Sequence, residues 1–168
     1  MALGGIGGES AGLGTMVFAK PGRMRWEYTA PEPSVVVSNG ETLWIYDPEA
    51  REVQVLSVGS GILSSAGLAF LLGDGDLLET FEVKAEGCGQ TPVRLRLLPK
   101  QDATYEQIGL DVAPDSGMVV ATQVTDLFGN RTELEFANLE TNLGPADDLF
   151  HFEPPSGTRV LRMDPATP

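Results

Sequence analysis

Between residues 15 and 137 the chain is cut into short runs in which large apolar and polar side chains alternate, and a turn signal closes each one. Alternation with a period of two sends successive side chains to opposite faces of a pleated strand. The runs fall at 15–19, 23–29, 35–38, 42–46, 52–58, 80–85, 93–98, 105–112, 118–126 and 131–137, with a short edge strand expected at 158–161. Pro21-Gly22 punctuates the first pair, and Asn39-Gly40 between two such runs is a strong local hairpin signal. Connections this short join antiparallel neighbours. About ten strands do not remain one flat sheet, so the pattern predicts a strongly curved antiparallel sheet or barrel and leaves a sandwich open.

One segment breaks the period. Residues 61–72, GILSSAGLAFLL, carry only small or apolar side chains, with Ile62, Leu63, Ala66, Ala69 and Phe70 near one helical face. A helix wetted on one side shows a polar stripe. This segment has none, so apolar groups should meet it on more than one side. Gly73-Asp74-Gly75-Asp76 ends it, and Asp76 is placed to cap a single turn through Leu77-Leu78-Glu79. The natural position for such an insertion is against the concave side of the sheet.

Composition narrows the function. The chain has 168 residues, the length of one domain, with a mean hydropathy of -0.03. Its formal charge is -13, from 24 acidic and 11 basic groups. Phosphate backbones need clustered Lys and Arg, so nucleic acid is a poor partner, and an anionic membrane surface is equally unattractive. No run of 18 apolar residues is present. Cys88 is the only cysteine and His151 the only histidine, which excludes an internal disulfide and the common thiolate or His-rich zinc sites. Asp74 and Asp76 lack the spacing of a calcium loop, and neither a serine nucleophile elbow nor a glycine-rich phosphate loop follows a strand. No catalytic, metal or cofactor residues are expected. Apolar surface stands out instead of titrating groups, which favours binding over catalysis.

The segments FAKPGRMRWEY and VVVSNGETLWIYDP resemble the outer-membrane lipoprotein carrier protein (LolA) family. Later stretches agree: Ala69 to Gly73, Leu97-Leu98-Pro99-Lys100, Thr125-Asp126-Leu127-Phe128-Gly129-Asn130-Arg131-Thr132, and Phe150-His151-Phe152-Glu153-Pro154-Pro155-Ser156-Gly157. The resemblance covers about residues 14–161. It implies an unclosed, strongly curved antiparallel β-barrel with a short helical lid segment over an apolar cavity. It further implies a monomeric periplasmic carrier without cofactor. Its cargo would be triacylated lipoproteins, taken from an inner-membrane lipoprotein-releasing ABC transporter complex and passed to an outer-membrane acceptor. Residues 14–168 would form this single domain. Two alternatives share the shell: a lipid- or glycolipid-binding module, and a lipoprotein-sensing module.

Candidate cavity liners are Met24, Trp26, Tyr28, Val35, Val37, Leu43 and Ile45 from the strands, with Leu68, Phe70 and Leu71 from the helical segment. A one-residue shift in register would turn any strand's set to the other face. In the family, the basic residue before the proline after the first strand is usually an arginine linked to lid closure and cargo transfer. Lys20 matches that position and lacks the planar fork of a guanidinium. Residues 1–13 read as a flexible glycine-rich leader without the basic and apolar regions of a signal peptide. The family's signal peptide and long amphipathic first helix find no counterpart ahead of the first strand.

Overall fold

The computed structural model describes residues 11–58, 77–87, 89–103 and 105–163. Along the chain the strands are β1 Leu13–Ala19, β2 Arg23–Ala30, β3 Ser34–Asn39, β4 Thr42–Asp47, β5 Glu52–Ser57, β6 Phe81–Glu86, β7 Val93–Pro99, β8 Tyr105–Val112, β9 Val119–Asp126, β10 Arg131–Glu135 and β11 Arg159–Met163. A helical turn α1, Leu77–Thr80, leads into β6, and a 3₁₀ turn, Asp147–Phe150, precedes β11. The expected helix at 61–72 lies outside the described residues, as does Asp76, the expected cap of the helical turn that is seen at Leu77–Thr80. The protein is mainly β and its strands form two sheets, neither of them closed.

The chain divides into two compact units. The first spans residues 12–74 and 142–168 and holds a sheet of order β1-β2-β3-β4-β5-β11. Its first five strands form an antiparallel meander, while β11 adds to the edge parallel to β5. Arg159 opens that edge strand, donating its backbone N–H to the Arg51 carbonyl at 2.8 Å and pairing its guanidinium with Glu52.

Side-chain acceptors shape the meander's turns. Asn39 Oδ1 accepts the N–H groups of Glu41 and Thr42 at 2.9 and 2.8 Å, and Asp47 Oδ1 does the same for Glu49 and Ala50. These contacts satisfy amides that a tight reversal would otherwise leave without partners.

Two of the turns are fastened together. The fully buried Ser38 hydroxyl donates to the Gly22 carbonyl at 2.9 Å and accepts the Gly40 N–H at 3.2 Å. Gly22 has a φ of 62°, and a Cβ there would stand 3.2 Å from Gly40 Cα. Only glycine meets both demands at this approach. Ser38→Ala removes the fastener and strands two backbone groups, so it should lower unfolding stability by about 1–3 kcal/mol in urea titration. An unchanged midpoint would show that the turns hold without it.

The second unit comprises the described residues between 75 and 141, with Ala11. Its sheet has the order β10-β9-β8-β7-β6, antiparallel throughout. Register gathers Phe81, Val83, Leu95, Leu97, Ile108, Leu110, Val124 and Leu134 on one face. The opposite face is polar and laced with ion pairs: Lys84 with Glu82, Arg96 with Glu86, and Arg94 with Asp111. Arg94 donates Nε and Nη2 to the two Asp111 oxygens at 2.6 Å each, which holds that carboxyl below its usual range. Clean alternation of this kind marks a sheet with one packed face and one wetted face.

Candidate ligand-binding face

Both faces of the first sheet carry large apolar groups, so the ladder has to decide which side is which. On one face, register aligns Phe18, Met24, Ser38, Leu43, Leu56 and Met163 in a row from β1 to β11. The next row is Met16, Trp26, Val36, Ile45, Gln54 and Leu161. The first row is sealed at its centre: Met24, Leu43 and Leu56 are at most 5% exposed and form one cluster with Val36, Ile45 and Val58. Trp26, Val36 and Ile45 of the second row stay half-buried.

Beyond them Tyr28 stands opposite Gly14, and the Trp26 and Tyr28 rings stack at 5.1 Å and 28°. A Cβ on Gly14 would come 2.2 Å from the Glu27 carbonyl oxygen, so β1 can approach β2 here only as glycine. Burial pushes the Tyr28 phenol up to about 12, which keeps it neutral through the physiological range. This front face is therefore an apolar wall with no ionised group among its two central rows.

The back face is occupied by the chain's own tail. Arg23 pairs with Asp147 and lies over the Phe150 ring at 5.2 Å, while Arg25 Nη1 donates to the Leu149 carbonyl at 3.3 Å. Farther along, His151 meets Trp44 edge-on at 5.8 Å and Phe152 tilts against Tyr46 at 5.3 Å. Each of these sheet partners belongs to the alternation opposite Met24 and Trp26. Phe150 is 1% exposed, and Val37 and Val53 on the same side are fully buried. The back face is packed by residues of its own unit.

Of the strand residues expected to line a cavity, Met24, Trp26, Tyr28, Leu43 and Ile45 share the front face. Val35 and Val37 do not. They pair with Tyr46 and Trp44 and belong to the tail-covered side, and Val36 takes their place beside Trp26 and Ile45. The reason is parity: a hairpin loop with an even number of residues places Val36 on the side of Leu43 and Ile45, and that rule was readable from Asn39-Gly40. Leu68, Phe70 and Leu71 lie outside the described residues. Lys20 is exposed in the β1–β2 turn, and its carbonyl accepts from Arg23 Nη2 at 3.3 Å. Arg23 and Arg25, on the face opposite Met24 and Trp26, hold the tail.

The family model described as outer membrane lipoprotein carrier protein LolA matches residues 8–153. An outer-membrane lipoprotein carrier protein of Dechloromonas aromatica is 35% identical over 149 residues, covering 88% of this chain and 70% of that protein. The corresponding protein of Cupriavidus necator is 35% identical over 163 residues, covering 96% and 75%. Among solved structures, a LolA superfamily protein from Nitrosomonas europaea aligns with a TM-score of 0.38 and 15% identity over 82% of this chain and 66% of that one.

Proposed function

The chain belongs to the LolA family of outer-membrane lipoprotein carrier proteins, and from that membership we propose that it carries lipoproteins by sheltering their acyl chains on the front face of its first sheet. The family is one of carriers, not enzymes. The observation that carries this reading is the asymmetry of the sheet. The tail packs the back face, and the aromatic front wall of Trp26, Tyr28, Val36 and Ile45 has no ionised group at its centre.

The energetics suit that role. Each buried methylene contributes roughly 0.8 kcal/mol, so enclosing much of a 16-carbon chain yields on the order of 10 kcal/mol before ordering costs. Dispersion and apolar burial are non-directional, so such a wall accepts different lipoproteins through the one feature they share. In this reading the protein works in the periplasm. It receives triacylated cargo from an inner-membrane ABC transporter complex and yields it to an outer-membrane acceptor. Lys20, exposed at the β1–β2 turn, is our candidate for the contact that governs release.

The test is to mix the purified chain with a synthetic tripalmitoylated lipopeptide and separate the products by size. A soluble one-to-one complex is expected. Lipopeptide that stays aggregated, under conditions where an established carrier protein disperses it, rules the reading out.

A further inference from the structure

The front face of the first sheet carries one polar side chain that the fold does not use. Besides the Trp26 indole, its two central rows hold two polar groups, Ser38 and Gln54. The Ser38 hydroxyl is spent on Gly22 and Gly40. Gln54 stands between Ile45 of β4 and Leu161 of β11, in the row that begins with Met16, Trp26 and Val36. It is half-buried, and its carboxamide bonds to none of the described residues. In the next row along the same two strands Glu52 pairs with Arg159, whose side chain is 72% exposed.

Polarity therefore changes along the row. Four consecutive strands contribute Met16, Trp26, Val36 and Ile45, and the fifth contributes an amide. Neighbouring strands lie about 4.8 Å apart, so β1 to β5 spans about 19 Å, close to the reach of an extended 16-carbon chain. An acyl chain laid across the sheet here would have its methyl end at Met16 and its carbonyl at Gln54. A neutral amide suits that end, because it offers a donor without the charge whose desolvation would oppose lipid entry. Resting on the carrier reading above, we propose that Gln54 Nε2 donates a hydrogen bond to an acyl carbonyl oxygen of the bound lipoprotein, ester- or amide-linked. The apolar wall then supplies affinity, and Gln54 fixes which way the lipid lies. The peptide leaves past Glu52 and Arg159, where the face turns charged.

Gln54→Met keeps the length of the side chain, removes the amide, and is the variant to test in the full chain. Its signature lies in the sign of the change. A wall working by apolar area alone would bind lipid as tightly or more tightly with methionine there. Loss of the carbonyl contact instead weakens binding about tenfold. Two probes locate the contact: a tripalmitoylated S-glycerylcysteinyl peptide with ester-linked glyceryl chains, and its ether analogue, which keeps only the amide-linked acyl carbonyl. A loss with the ester probe alone assigns the contact to a glyceryl ester, and a loss with both assigns it to the N-acyl amide. The melting temperature without ligand should hold, because the amide has no partner to lose. Unchanged or tighter binding of the ester probe, or a clearly lower melting temperature, would overturn the assignment while leaving the carrier reading intact. If the wild-type chain binds neither probe, both readings fall.

Discussion

Val36→Glu is expected to abolish lipopeptide binding in a chain that still folds, whereas Val37→Glu, one residue along, is expected to prevent folding. Val36 is half-buried between Trp26 and Ile45 on the front face, where a long carboxylate can reach water or take up a proton. With ligand bound, that charge would sit where hydrocarbon should pack, and the penalty for an unpaired buried carboxylate amounts to at least about a hundredfold in affinity. Val37 is fully buried on the tail-covered face. A carboxylate there has no exit to water, and the cation in register with it, Arg25, is already held by Glu27 and the Leu149 carbonyl, so its desolvation cost rivals a typical total stability of about 5–15 kcal/mol. Circular dichroism and lipopeptide titration of both variants separate the outcomes. A folded Val37→Glu chain that loses binding, beside a Val36→Glu chain that keeps it, would mean that the faces are reversed.

Phe150→Ala should cost about 3–5 kcal/mol, the range for deleting a fully buried aromatic ring. Phe150 is the most deeply placed side chain of the tail and lies beneath the Arg23 guanidinium, which is itself paired with Asp147. Removing the ring takes away both the packing and the anchor that presents His151 to Trp44 and Phe152 to Tyr46. Urea titration measures the loss, and Trp44 fluorescence reports whether the tail lifts with it. Phe128→Ala is the control: that ring is 90% exposed in the β9–β10 turn, so its removal should shift stability by no more than about 0.5 kcal/mol. Similar midpoints for the two variants would show that the tail contributes little.

The strands and hairpins were legible because their causes are local. Alternation marked the runs, and Asn39 and Asp47 announced turns that their own carbonyl and carboxylate oxygens complete. The front-face set was legible where one alternation was distinctive, as in Met24, Trp26 and Tyr28. It failed at Val35-Val36-Val37, where three identical side chains hide the phase and only hairpin parity reveals it. The tail's edge strand was legible, but the seat of residues 147–152 behind the sheet was not. Arg23 and Asp147 are 124 residues apart, and no local pattern in either segment points to the other.

The parallel seat of β11 beside β5 sets the order in which the molecule can be finished. Residues 75–141 form a contiguous meander whose strands pair only with their neighbours in sequence, so that sheet can assemble as soon as it leaves the ribosome. The first sheet begins earlier and ends later. Its sixth strand and the strap behind it are the last described residues to be synthesised, so the front wall stands unbraced until the chain has been made through Met163.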